Sequence, residues 1–479
     1  MLLQCLSRYC ASPYAEVSAD SIAELEAFVP RMLSTGLVVE TIDSDGEPYD
    51  SADFMMPPNA SVWFALISSM GRLSSAMKED VRTLAVKTLF SLLTAHGASF
   101  PVWFWRRVLR DVLVDAITLQ RNLLDVVEQE RTGAVLAPAD TPRAAVLRTM
   151  YSTLDATVAL FDGSLGDVVQ GLLPLALIEL RKLACETGMI TESELPTKTL
   201  RCFLALLPSD AALYDAALWS TVVVQLEQFA SSSKHTDPVF PSLGLMQREV
   251  SEAKHRRERE RATTRHDASH EAEAHRPLSF PLSFLLVRVH VRLHFFQFRF
   301  ALIDAMGTVV DRMLSLPRSA SSLDIDHHIG AVASTLETML QDAIAVQHPE
   351  VEAAVSQQLT RILLTYMHTS DDEAERAFAV RRLASPCTVV LAHFGSLCAP
   401  GSGDEHGASV LAAHDGPLEI MLSALNGLPA PDLKQHMVWL YPLCVAILKA
   451  GAGEAEVRIT ELISALLMEA YNLFVRSQT

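Results

Sequence analysis

The sequence predicts an all-α protein built from stacked antiparallel helix pairs, and three observations predict it. Apolar residues recur three and four apart along most of the 479-residue chain, alternating runs closed by Asn-Gly or Asp-Gly are scarce, and the helical runs succeed one another across short turns. Helices of about 15–20 residues without strands bury their apolar stripes by stacking hairpin on hairpin, the arrangement of an α-solenoid.

The elements are clearest over residues 60–119. A first helix carries Trp63, Leu66, Ile67, Met70 and Leu73 at helical spacing. A second starts at Asp80, a good N-cap for the free amides of a first turn, continues through Val81, Leu84, Ala85, Leu89 and Leu92, and stops at His96-Gly97. A third follows the start signals Ser99 and Pro101 and buries Trp105, Val108, Leu109, Val112, Leu113 and Ala116. Asp80-Val81-Arg82 followed by Ala85 and Leu89 matches the opening of the inner helix of a HEAT repeat, where Asp caps, Arg reaches an Asp of the neighbouring repeat and Ala permits close packing. Glu456-Val457-Arg458, leading to Leu462 and Leu466, opens a similar helix. The period is irregular, so the expected architecture is a degenerate HEAT/armadillo-like α-solenoid.

Composition shifts divide the chain. Residues 1–40 read as an N-terminal helical segment, 40–60 (DSDGEPYDSAD, MMPPN) as an exposed linker, and 60–230 as repeats. Residues 231–276 include SEAKHRRERERATTRHDASHEAEAHR, with almost no large apolar side chain after Val250, and read as a disordered polar and basic linker or insert. Repeats resume over 277–475, with a flexible loop at 399–417. Residues 287–300, VRVHVRLHFFQFRF, alternate apolar with basic in their early part, a strand period inside a helical protein. Either tertiary context overrides it or the segment is foreign to the fold.

Apolar residues make up 49% of the chain, enough for a large core, and the net charge of −18 argues against nonspecific nucleic-acid binding and favours basic partners. Seven scattered cysteines without a C-x-x-C pair read as reduced core thiols of a cytosolic protein. No apolar stretch approaches the roughly 20 residues of a spanning helix, and MLLQCLSRYC lacks the charged lead and apolar run of a signal peptide.

Phosphate loops, zinc helices, nucleophile elbows and kinase motifs are all missing, so no cofactor is expected. Asp324, Asp326, His327 and His328 offer four metal-ligand types in five residues, but no second cluster matches them, and Ser321-Ser322-Leu323-Asp324 looks like a helix start; capping is the better reading and no metal is expected. Trp63, Trp103, Trp105, Trp219 and Trp439 fall on apolar helical faces and read as core.

At 62–117 the chain resembles the repeats downstream of the catalytic domain in the large, brefeldin-A-inhibited Arf guanine-nucleotide exchange factors and their non-catalytic Golgi relatives. The shared pattern is a tryptophan helix, then Glu79-Asp80-Val81-Arg82 leading to Thr88-Leu89-Phe90 and His96-Gly97, then an aromatic helix with Trp103, Trp105 and Val108. Phe295–Met306 is similar to a helix in the family's last third, and Tyr441-Pro442-Leu443-Cys444 through Val457-Arg458 to its terminal helix pair. The family's exchange domain and its catalytic glutamate have no counterpart here, so no catalytic residue is carried over and the chain itself is not expected to be an enzyme. What the resemblance implies is a regulatory and scaffolding module in Golgi and endosomal vesicle traffic, peripheral on those membranes. Its implied partners are small GTPases of the Arf, Arf-like or Rab type, the Golgi membrane surface and further copies of itself. Arg82, Trp103, Trp105 and Arg106 are the candidate partner-contact or repeat-packing positions. Two other readings stand beside it: a longer polypeptide with Arf exchange activity, and an import-receptor-like adaptor for basic cargo.

Overall fold

Periodicity and punctuation produce helices throughout. The computed structural model describes residues 9, 12, 14–34, 39, 56–129, 142–163, 169–185, 194–207, 215–232, 280–315, 324–346, 348–370, 372–397, 406–450 and 456–476, and no strand occurs among them. The helices are α1 (Ala15–Ser34), α2 (Pro58–Leu73), α3 (Glu79–His96), α4 (Val102–Val108, a π-turn at Leu109–Val114, then Asp115–Gln129), α5 (Pro142–Gly163), α6 (Val169–Cys185) and α7 (Leu195–Leu206). They continue as α8 (Ala216–Ser232), α9 (Phe280–Ser315), α10 (Ile325–Ala345), α11 (Pro349–Thr369), α12 (Glu373–Leu397), α13 (His406–Asn426), α14 (Ala430–Ala450) and α15 (Glu456–Arg476). Helices α1–α7 belong to one compact unit and α8–α15 to a second.

Within the first unit α2 packs on α3, α4 on α5 and α6 on α7, while α1, α3, α5 and α7 touch in succession and α2, α4 and α6 do the same. Two layers of helices joined as hairpins result, the arrangement of an α-solenoid. The second unit repeats the scheme: α8, α10, α12 and α14 form one row, α9, α11, α13 and α15 the other, with hairpin contacts between them. Each helix turns an apolar stripe toward both its hairpin partner and its row neighbours, which is why the core runs along each unit between the rows.

The helices expected between residues 60 and 119 all form, and Trp63, Leu66, Ile67, Met70 and Leu73 on α2 and Trp105 through Ala116 on α4 are buried at the expected positions. One detail differs. Lys78, without a side-chain cap bond, precedes α3, and Asp80 sits beside Glu79 inside the first turn, where the helix dipole favours both carboxylates. At 287–300 α9 is helical throughout, so of the two alternatives the strand period is overridden. From Phe296 onward the apolar residues return to helical spacing, with Phe296, Phe298, Leu302, Ile303, Met306, Val309, Val310 and Met313 buried, and the Phe298 ring lies 6.1 Å from that of Phe229 on α8. Most of the polar insert and of the 40–60 linker fall outside the described residues, as does the first part of the 399–417 loop; α13 begins at His406 and takes in the rest.

The capping reading of Asp324 holds: its carboxylate accepts the His327 amide at 3.0 Å and so ends the first turn of α10. Asp326 accepts a hydrogen bond from the Tyr366 hydroxyl of α11. His328 is buried, and burial first, then the neighbouring His327, lowers its imidazole pKa against the pull of Asp324. The unfolded chain therefore binds this proton more tightly than the folded one. Its contribution to stability is present above the unfolded value of about 6.5 and is lost as pH falls through that value toward the lower folded one. Denaturation midpoints measured at descending pH should fall over this window, and His328→Leu should flatten the fall; an unchanged slope would sink the assignment.

Among the described residues the cysteines Cys185, Cys202, Cys387 and Cys444 are buried or half-buried. Burial raises Cys202 and Cys444 to about 11, so both stay protonated at neutral pH, as structural thiols do.

Candidate functional site

The four residues singled out from sequence lie in the first unit but play different parts. Arg82 is 2% exposed and its Nη1 donates to the carbonyls of Ala76 and Met77 at 2.8 and 2.7 Å, tying the α2–α3 turn to α3. Its expected partner was an Asp of a neighbouring repeat; the turn carbonyls stand there instead, because the residues after α2 curl back within reach of the guanidinium. Burial pulls the Arg82 pKa down, opposed by Glu79. Trp103 is buried against Phe104, ring centroids 5.6 Å apart and edge to face. Trp105 is buried and its Nε1 donates to the Gly97 carbonyl at 2.9 Å. Arg106 alone of the four is exposed.

A cleft of about 310 Å³ opens between α2 and α4, lined by Phe64, Ser68, Gly71, Arg72, Asp111, Val112 and Asp115. It forms where the π-turn widens α4. Gly71 permits the approach of the two helices, since a Cβ there would stand 2.7 Å from Val112 Cγ1. Asp111 pairs with Arg107 at 2.9 Å and with Arg110 at 2.8 Å, Arg72 Nη2 donates to Ser68 Oγ at 3.1 Å, and the Arg107 guanidinium lies 6.0 Å from the Phe64 ring centre. The cleft thus has an apolar floor and a rim of both charge signs, a composition suited to a protein surface. Nothing in LRDVLV announces a π-turn, so this site was not readable beforehand; such turns are frequent at functional sites.

In the second unit, a cleft of about 200 Å³ is lined by Glu227, Ala230, Ser231, Arg299, Thr335, Thr338, Met339 and Asp342. Elsewhere in this unit Glu352 of α11 and His414 of α13, both buried, converge with the half-buried His393 of α12. His414 Nδ1 and Glu352 Oε2 are 2.6 Å apart, with the two side chains 3% and 1% exposed. The His393 ring stands 5.0 Å from that of His414, edge to face, and its Nε2 is buried without a hydrogen-bond partner. Burial, the largest influence, lowers the His393 pKa, with His414 acting the same way and Glu352 opposing. The sequence offered no sign of this cluster, because its members lie on three separate helices.

No protein-family model matches the chain. Over 70 residues, 15% of this chain and 4% of the relative, it is 33% identical to brefeldin A-inhibited guanine nucleotide-exchange protein 3 of Arabidopsis thaliana. A relationship to the Arf exchange factors of this type is thereby suggested, over a small part of that protein's length. Among solved structures, a circular tandem repeat protein with novel repeat topology and enhanced subunit contact surfaces aligns over 100% of this chain and 96% of its own, at 12% identity and a TM-score of 0.36. Among the described residues no helix is long and apolar enough to cross a membrane.

Proposed function

We propose that this chain is a helical-repeat scaffold of the large Arf exchange-factor type, which regulates vesicle traffic at Golgi and endosomal membranes by binding a small GTPase of the Arf, Arf-like or Rab class. The observation that carries the proposal is the 70-residue match to a brefeldin-A-inhibited exchange protein, set on an all-helical, layered fold. The α2–α4 cleft is the contact surface, with Arg106 at the exposed face of the same helix. The chain contributes binding, and nucleotide exchange comes from a domain elsewhere in a longer polypeptide or from a partner.

The test is binding of the purified chain to Arf, Arf-like and Rab proteins loaded with GDP or with a non-hydrolysable GTP analogue. At least one GTP-loaded protein should bind about tenfold more tightly than its GDP form, a difference of about 1.4 kcal/mol. Asp115→Arg and Arg106→Glu, both at exposed positions, should weaken that binding while leaving the helical content unchanged. Equal or absent binding in both nucleotide states would end this reading. The net charge of −18 favours the adaptor for basic cargo as the second reading, and a basic peptide bound with steep salt dependence is the result that would select it.

A further inference from the structure

We propose that Glu352, His393 and His414 form a binding site for a divalent transition cation, zinc being the best fit, which ties helices α11, α12 and α13 together. The donor set is the first argument. Two imidazoles and one carboxylate are a recurrent ligand combination for zinc and related divalent ions, whereas magnesium and calcium prefer sites made of oxygen atoms.

Geometry is the second. One donor atom from each residue lies within 4.8 Å of the other two, and His414 Nδ1 and Glu352 Oε2 are 2.6 Å apart. Zinc holds nitrogen and oxygen ligands at about 2.0–2.2 Å, which places tetrahedral neighbours about 3.3–3.6 Å apart. The short pair has to open by less than about 1 Å and separations near the 4.8 Å limit have to close by as much as about 1.5 Å, shifts within the reach of side-chain rotation.

The third argument is the incomplete hydrogen bonding. Glu352 and His414 satisfy one another, but the buried Nε2 of His393 has no hydrogen-bond partner. An unsatisfied buried nitrogen is costly, and it is uncommon in native interiors. A cation accepts a lone pair from each imidazole and neutralises the carboxylate, so it accounts for all three residues together.

Burial decides the role. With Glu352 and His414 almost wholly enclosed, the ion would have a structural role. It would join α11 and α13, neighbours in one row, to α12 in the other, and thereby link two successive hairpins.

Zinc uptake by the full chain, stripped with a chelator and re-equilibrated, tests this. About one equivalent should remain bound after dialysis, and His393→Ala should weaken binding at least tenfold while keeping the Glu352–His414 bond and the fold. Cobalt substitution provides an independent readout that needs no variant: visible d–d bands without a near-ultraviolet thiolate band are expected. A stripped chain that takes up no zinc, a His393→Ala chain that binds it equally well, or a cobalt spectrum carrying a thiolate band would overturn the proposal, the last by assigning the metal to cysteine.

Discussion

Trp105→Ala is expected to cost the first unit about 3–5 kcal/mol, the range for emptying a buried aromatic site. The indole is 2% exposed and is gripped on several sides. Its centroid lies 5.9 Å from that of Phe100, which in turn stands 5.3 Å from Trp63 and 4.8 Å from Phe104, so its loss opens a void in the middle of one aromatic cluster. Truncation also removes the Nε1 bond to the Gly97 carbonyl, which keeps only the Phe100 amide at 3.0 Å, a further loss within the same range. Trp105→Phe keeps most of the volume and loses only that bond, and should cost about 1–2 kcal/mol. Gly97→Ala attacks the same contact from the other side: its Cβ would sit 2.4 Å from Trp105 Cζ2, so the ring or the turn has to shift, at about 1–3 kcal/mol. Arg106→Ala, on the exposed face of the same helix, should stay within about 0.5 kcal/mol. Denaturant unfolding followed by circular dichroism and tryptophan fluorescence measures all four. If Trp105→Ala costs as little as Arg106→Ala, the packing described here is wrong.

The helices around this cluster were legible because their signals are local. Pro101 and Gly97 punctuate the chain, and the spacing of Trp63, Leu66, Ile67 and Met70 is that of a single helix whatever packs against it. What local pattern did not carry falls into three kinds. Arg82 has a long side chain whose partner is chosen only after the backbone is in place, so a buried arginine was foreseeable and the Ala76 and Met77 carbonyls were not. The π-turn leaves Leu109, Val112 and Leu113 at spacings that a regular helix would also produce. Glu352 and His414 are 62 residues apart and meet only through the stacking of α11 on α13, a relation that periodicity along one helix does not encode. The strand-like alternation at 287–291 left its outcome open for the opposite reason: its pattern is local, and the helix that contains it is anchored further on by Phe298, Leu302 and Met306.

That anchoring includes an ion pair, and breaking it is the second large effect. Arg299, 1% exposed on α9, pairs with Asp342 on α10 beside the Phe229–Phe298 contact. Arg299→Ala should destabilise the second unit by about 2–4 kcal/mol, mainly by emptying the site that the buried side chain fills, since Asp342 is 19% exposed and lines the adjoining cleft. Asp342→Ala should cost a similar amount by leaving a guanidinium in the interior without its carboxylate. The double substitution Arg299→Met with Asp342→Leu removes both charges while refilling much of the volume, and should recover to within about 1 kcal/mol of the original chain, since a buried pair gains little over packed apolar groups. A double-mutant cycle on chemical denaturation separates the cases. Single substitutions that cost no more than the double would mean that the pair is effectively solvated through the adjoining cleft of about 200 Å³. Recovery in the double would instead mean that the attraction itself adds little net stability, and that the pair acts by penalising any register of α9 against α10 in which Arg299 and Asp342 do not meet.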